Sequence, residues 1–351
     1  MSPNMPYTVK EITNPDQWDA FVMSGPYTLF VQSADYAAFY ALLGESSWIF
    51  GIFDEHNTLI GGSLVLSTHA KRGNFLYLPY GPVIALNGKE EHAAFHTLTE
   101  TLVSFARANN YRFIRVSPFF EASTTYKNMF AQEGYRSAPM HILAETTWML
   151  DITPDEQTLF ASMKKNHRNL IRRCERDGVR VEKRTDDAAL DILHTLLDAT
   201  KKRHNFTPFS RSYIDNEFKQ FATHGRACIF VAYLPDGTID SCAIIMFYGN
   251  TAVYRHSGSL NKNKKLPTSY LVQWHVIGEA KKRGMKWYNF WGIAPDDAPQ
   301  NHPFKGITHF KTGFGGEKKE LLHCQDLVVS RLYWINWIVE RLRSMRRGFK
   351  Y

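Results

Sequence analysis

The chain has 351 residues, 44% of them hydrophobic, 14% aromatic and 22% charged, and 42 lysines and arginines against 34 acids give a net charge of +8. That length exceeds what one hydrophobic core usually organises, and the aromatic density excludes a disordered chain. The 22 glycines and 15 prolines follow no fixed period, which excludes fibrous classes, and the charge permits a polyanionic partner without requiring one.

Residues 1–18 hold no continuous apolar core, so no secretory signal is expected, and no run approaches the roughly 20 apolar residues of a membrane span. The sequence reads as a soluble, cytoplasmic protein. Residues 49–63, IFGIFDEHNTLIGGS, give a strand, a turn at His56-Asn57 and a second strand. The pattern returns 180 residues later at 229–243, IFVAYLPDGTIDSCA, with Asp236-Gly237 in the turn. Helix 90–109 carries Ala94, Leu98, Leu102, Phe105 and Ala106 on one face, stops at Asn110 and leads into the strand YRFIRVSP. Helix 267–283 carries Leu271, Trp274, Ile277 and Ala280, stops at Gly284 and leads into MKWYNFWGIAP. Such self-similarity marks a duplication. The expected class is α+β, with two domains of related topology: residues 1–150 joined by 317–351, and residues 151–316.

Residues 154–178 are expected to open the second domain as one helix. Phe160, Met163, Ile171 and Cys174 share a face, and Lys165, Arg168, Arg172 and Arg176 lie on a neighbouring arc that Arg173 extends. Cations at that spacing suit a phosphate backbone, and a solvated amphipathic helix explains them as well. No aromatic lies on the basic arc, so base stacking is not supported there. RHNFTPFSRSY then offers Arg203 and Arg211, and a later strand carries Tyr254, Arg255 and His256. Arginines beside aromatics can clamp phosphate, and each taken singly is more often an ordinary structural side chain.

Residues 287–317 are the densest run of unusual residues. Asn301 can cap a helix, Pro303 suits its first turn and Gly313 can end it, leaving Phe310 and Lys311 in the last turn before GFGG. The glycines lack the GKS or GKT of a phosphate loop. Four cysteines without a CxxC pair argue against disulfides and a thiolate zinc site. GxSxG, HExxH, a first-strand GxGxxG, and DFG or HRD are absent, which counts against serine hydrolases, zincins, dinucleotide enzymes and kinases. A strand at 317–324 and a helix at 327–347 are expected to return to the first domain. That helix places Leu327, Trp334, Ile335, Ile338, Leu342 and Met345 on one side and crowds Arg341, Arg343, Arg346 and Arg347 at its end. An interfacial membrane helix and packing on the first domain both fit.

FLYLPYGPV at 75–83, FASMKKNHRNLIRRCERDGV at 160–179, LPTSYLVQWHVIGEAKKRGMKWYNFWGI at 266–293 and NHPFKGITHFKTGFGGE at 301–317 occur in one order along nearly the whole chain. Together they resemble the Fem aminoacyltransferases (FemABX), which add amino acids to peptidoglycan precursors. The resemblance implies two tandem acetyltransferase-like (GNAT-type) domains without a coiled-coil arm. It implies aminoacyl-tRNA as donor and a lipid-linked or nucleotide-linked stem peptide as acceptor, with no cofactor, no metal and no DNA. By the same resemblance Lys311 polarises the reacting ester and Phe310 shapes the site. Arg211 would meet precursor phosphate and Tyr254 the peptide, with His256 and Arg203 beside them. The family's YxPRGP reads YLPYGP here, which puts Tyr80 where arginine is common, and Ala38 and Tyr40 stand where a basic residue is usual. Lys165, Arg168, Arg172 and Arg176 become the tRNA surface, and helix 327–347 a peripheral contact with the inner face of the membrane. The same residues also fit aminoacylation of another peptide or protein amine, or a catalytically silent RNA- or lipid-binding scaffold.

Overall fold

A computed structural model describes residues 6–70, 73–204, 209–296, 298 and 304–346. Asn301, Pro303 and Arg347 lie outside the described residues. The chain forms two compact units, Met1–Gly25, Leu29–Glu145 and Glu320–Tyr351 in the first, Pro26–Thr28 and Thr146–Lys319 in the second.

In the first unit β1 (Thr8–Glu11), α1 (Pro15–Met23) and α2 (Ala34–Leu42) precede β2 (Ser47–Phe53), β3 (Leu59–Ala70), β4 (Gly73–Pro79) and β5 (Val83–Ile84). Then come α3 (Gly88–Ala108), β6 (Phe113–Ser117), α4 (Thr124–Gln132) and β7 (Arg136–Ser137). The second unit runs β8 (Thr146–Asp151), α5 (Glu156–Ser162), α6 (Lys165–Arg176), β9 (Arg180–Arg184), α7 (Asp187–His204) and α8 (Arg211–Thr223). It continues with β10 (Ala227–Tyr233), β11 (Ile239–Tyr248), β12 (Thr251–Ser259), α9 (Thr268–Lys282), β13 (Trp287–Gly292), α10 (Lys305–Thr312) and β14 (Glu317–Glu320). The chain then supplies β15 (Gln325–Val328) and α11 (Tyr333–Arg346) to the first unit.

The duplication reaches the level of single residues. Asn57 (φ 59°) and Gly237 (φ 83°) turn the two hairpins, and each hairpin carries its bulge at the same place, Ile52/Phe53 and Ala232/Tyr233. In each unit one long helix, α3 or α9, links two strands that pair in parallel, β4 with β6 and β12 with β13. The helices earn that position by their buried faces. Ala94, Leu98, Leu102 and Ala106 of α3 pack with Leu76 and Ile114, and Leu271, Val276, Ile277 and Ala280 of α9 pack with Ile245 and Tyr288. Each fully buried large side chain is worth ~1.5–3 kcal/mol.

The sheets run β1-β2-β3-β4-β6-β15-β7 and β9-β10-β11-β12-β13-β8-β14. The sixth place is filled by β15 in the first and by β8 in the second, so one strand precedes its unit's other strands and the other follows every other strand. This placement moves the expected boundaries. The division falls after Glu145 rather than 150, because Leu150 pairs with Tyr288, and after Lys319 rather than 316. The expected strand 317–324 is strand only over Glu317–Glu320, as β14 of the second sheet, and the next strand, β15 of the first sheet, begins at Gln325. Leu327, expected on the tail helix, belongs to β15 opposite Ile114. The expected single helix at 154–178 is also two. Met163 and Lys164 are extended (ψ 151° and 140°), and the Lys164 N–H donates to Gly313 O at 2.9 Å. Arg168 Nη1 donates to Ala161 O at 2.7 Å and Met163 O at 2.6 Å, so carbonyls that α5 leaves open are satisfied.

Candidate active site

The site lies where two strands part. β12 and β13 pair only from Thr251↔Trp287 to Val253↔Asn289. Beyond that, the register of β12 against β11 skips Arg255, and Trp291 of β13 takes a φ of +66°. A bulky side chain in the left-handed region costs ~1–3 kcal/mol, and the surroundings hold it there. Asn289 Oδ1 accepts the Trp291 N–H at 2.7 Å and the Thr147 hydroxyl at 2.7 Å.

Lys311, in the last turn of α10, reaches both diverging strands. Its Nζ donates to Gly292 O at 2.6 Å and lies 5.7 Å from the ring centre of Tyr254. The side chain is buried, and burial lowers its pKa from 10.5 to about 7. Tyr254 is buried beside it, donates its hydroxyl to Ser257 Oγ at 2.6 Å and is pushed up to about 12 by burial. Phe310 is half-buried, edge-on to Tyr270 at 5.0 Å and to Phe314 at 5.3 Å. An ammonium that loses its proton near neutrality, buried beside the Tyr254 ring, is suited to stabilise negative charge that develops only during reaction.

One residue of the site escaped the sequence reading. His167 of α6 is fully buried, and its Nε2–H donates to Phe310 O at 2.9 Å. Burial pushes its pKa down, so the ring is neutral, and its Nδ1 has no hydrogen-bond partner among the described residues. Tyr270 and Phe314 enclose the ring at 4.8 and 4.9 Å. This explains Gly313. It ends α10 as expected, but with a right-handed φ of −81°, and a Cβ there would lie 1.9 Å from the imidazole. The left-handed glycines are Gly315 (φ 88°) and Gly316 (φ 94°). A signal for His167 existed. On the apolar stripe of α6 it fills the slot between Met163 and Ile171, where an aliphatic residue is ordinary.

The other expected residues are engaged in different ways. His256 Nε2 donates to the buried Glu217 at 2.8 Å, and Arg255 grips the same carboxylate at 2.8 and 3.0 Å. Burial alone would raise Glu217, but Arg255 and the imidazole hold it at about 2, while burial and the neighbouring guanidinium push His256 down. Arg255 also faces the rings of Phe209 at 5.5 Å and Trp291 at 5.4 Å. Arg211 opens α8 and is ion-paired with Asp191 and, at 3.7 Å, Asp215. Arg203 donates to Ser259 O at 3.0 Å and Leu260 O at 3.2 Å. Tyr80 belongs to the first unit, where it is buried with its hydroxyl on Ala144 O at 2.7 Å. On α6, Lys165, Arg172 and Arg176 are exposed. Arg172 covers the Phe160 ring at 5.0 Å, Arg176 pairs with Asp177 at 2.8 Å, and Arg168 is committed to the end of α5. The structure thus brings together Lys311, Phe310 and Tyr254, and occupies Arg203, Arg211 and Arg168 with bonds of their own.

Residues 13–146, 136–237 and 236–340 match the FemAB family. The chain belongs to that family. Lipid II:glycine glycyltransferase of Staphylococcus epidermidis is 22% identical across 91% of this chain and 92% of its own length. Aminoacyltransferase FemB of the same species is 27% identical over 112 residues, 31% of this chain and 27% of FemB. Among solved structures, FemX superposes with a TM-score of 0.82 at 18% identity, over 95% of this chain and all of FemX. A tandem GNAT protein from the clavulanic acid biosynthesis pathway gives 0.54 at 10% identity, over 92% of this chain and 99% of that one. The fold is therefore the expected α+β pair of GNAT-like domains, and this FemAB-family chain is an aminoacyltransferase. Among the described residues, no helix is long and apolar enough to cross a membrane.

Proposed function

We propose that this FemAB-family enzyme moves an aminoacyl group from a charged tRNA to an amine on the stem peptide of a lipid-linked peptidoglycan precursor, in interpeptide bridge formation. It would act in the cytoplasm, at the inner face of the membrane. The observation that carries the reading is the buried Lys311 at the parting of β12 and β13, with a pKa of about 7. The relatives' acceptor, lipid II, supports the choice of a lipid-linked substrate.

The donor ester is already activated, so no covalent enzyme intermediate is required. The acceptor ammonium loses a proton, its nitrogen attacks the ester carbonyl carbon, the carbon–oxygen bond to the ribose breaks, and the ribose oxygen gains a proton. One proton is released overall. Negative charge gathers on the carbonyl oxygen in between, and protonated Lys311 answers it. A buried cation is costly in the empty site and becomes favourable only opposite that oxyanion, so it lowers the transition state more than the ground state. Phe310 keeps water from the ester, and the exposed Lys165, Arg172, Arg173 and Arg176 meet tRNA phosphates.

The test is transfer from a mixed pool of charged tRNAs to lipid-linked and nucleotide-linked precursors offered separately, with products read by mass. A single amino-acid increment on the lipid-linked precursor is expected. An increment on the nucleotide-linked form alone would replace the acceptor, and intact charged tRNA with no product on either would end the reading.

A further inference from the structure

Helix α11 is amphipathic in the inverted sense. Its polar side is the buried one. Tyr333, Asn336 and Ser344 are buried, and the Glu340 carboxylate accepts from Arg115 Nη2 at 2.8 Å. Arg115 is itself buried and pairs with Asp326 of β15 at 2.7 Å, while the Tyr333 hydroxyl donates to the same Asp326 carboxylate at 3.0 Å. Arg112 adds a contact to Asn336 Oδ1 at 3.5 Å. Turned away from this network, Leu332, Ile335, Ile338, Leu342 and Met345 are 49%, 51%, 53%, 54% and 63% exposed, at the spacing of one helical face. A buried ion pair stabilises little by itself, yet this one fixes which side of the helix looks outward. An apolar stripe of this length facing water marks a surface that something covers.

The charge around the stripe selects what covers it. Residues 331–346 hold four arginines and one acid, and that acid, Glu340, is already tied to Arg115. Trp334 and Trp337 lie at 5.9 Å from each other on the same helix, and Trp334 is 42% exposed. A twofold contact with a second copy would bring together two helices that each carry this excess of arginines, with their one acid, Glu340, already tied to Arg115. An anionic bilayer instead accepts the leucine and isoleucine side chains between its acyl chains, tryptophans at the headgroup level, and arginines on its phosphates. We infer that α11 seats the enzyme on an anionic lipid surface, apolar face down. Its use, delivery of the active site to a lipid-linked acceptor, rests on the function proposed above; the contact itself does not.

The full chain and an Ile338→Glu/Leu342→Glu variant are to be sedimented with vesicles of phosphatidylcholine alone or with phosphatidylglycerol. Both positions are exposed, so the fold should be kept, which circular dichroism checks. Wild type should sediment with the phosphatidylglycerol vesicles, less so at high salt, and the variant should lose at least about ten-fold in partition, or ~1.4 kcal/mol. Wild type left in the supernatant, or equal sedimentation of the two proteins, would overturn the inference. So would a wild-type dimer in light scattering that the variant converts to monomer. Transfer to a lipid-free stem peptide is measured in parallel on both proteins. A wild type that sediments but transfers to no acceptor sinks the transferase reading and upholds the helix, whereas one that transfers but ignores vesicles does the reverse.

Discussion

Helices α4 and α10 hold the same place in the duplicated fold, each between a strand of the parallel pair and the short strand β7 or β14. They end in opposite ways. α4 closes on Gly134, left-handed at φ 81°, with the Tyr135 N–H returning to Phe130 O at 3.0 Å, and leaves Ala131 and Gln132 of its last turn in water. Every rule for a helix end is obeyed there. α10 buries a lysine in its last turn, presses a right-handed glycine against an imidazole that is itself half-satisfied, and ties its lysine to the carbonyl that follows a left-handed tryptophan. One scaffold thus carries a relaxed end and a strained one, and the departures from local rules gather at the strained end, where chemistry is expected.

The largest break in this comparison is Lys311→Met, which makes α10 as inert as α4. Turnover should fall ~10²–10³-fold, the usual loss for one donor to a developing oxyanion, with binding of both substrates kept. Stability should move the other way. The unfolded lysine keeps its proton to about pH 10, whereas the folded one releases it near 7, so the wild-type cost is full below pH 7 and fades at ~1.4 kcal/mol per pH unit above it. Urea melts from pH 6 to 10 should therefore show the variant ahead at low pH and the gap closing as pH rises. A variant less stable than wild type at pH 6 would mean that Lys311 is structural.

A smaller effect separates the two glycines. Gly313→Ala should cost ~2–3 kcal/mol, because its Cβ meets an imidazole locked between Tyr270 and Phe314. Gly134→Ala meets only Leu327 at an ordinary 3.5 Å and should cost ~1–2 kcal/mol from its left-handed backbone alone. Equal costs in thermal melts would show that the His167 contact gives way. The smallest effect lies on the outer face of α6. Lys165→Ala should lower the slope of log tRNA affinity against log salt by about 1 and leave stability unchanged. Arg168→Ala should instead lower stability by ~1–2 kcal/mol, since it strips two carbonyls of their donor.

The relaxed positions were the legible ones, in both units. Asn57, Gly237, Asn110 and Gly284 announce turns and helix ends because positive φ is a local property of those residue types, and all four adopt it. The FemAB match likewise bears out a resemblance carried by contiguous motifs. Lys311 was legible as a residue, but not its burial, which depends on where α10 settles between β12 and β13. His167 was hidden because its partner, the Phe310 carbonyl, is remote in sequence, although the gap it fills in an apolar stripe was visible. The strand order was hidden for the same reason. β8 and β15 are short strands whose own residues say nothing about which sheet receives them. Ile335, Ile338, Leu342 and Met345 of the expected apolar side share one face of α11 with Leu332, while Leu327 belongs to β15, and the direction that face takes depends on Arg115 and Asp326, which lie outside the helix.

The sixth place of the first sheet has a consequence during synthesis. By the time β6 and β7 leave the ribosome, the strand that belongs between them has not been made, and residues 138–324 must follow before it arrives. At about 5–20 residues per second that is a wait of roughly ten to forty seconds. Through it Arg115 has no Asp326 to answer its charge, and two strand edges stand open. The second sheet, with β8 made first, closes once β14 emerges. The nascent chain therefore finishes its later-made half before its earlier one, and it spends the interval as a client for whatever guards unpaired edges.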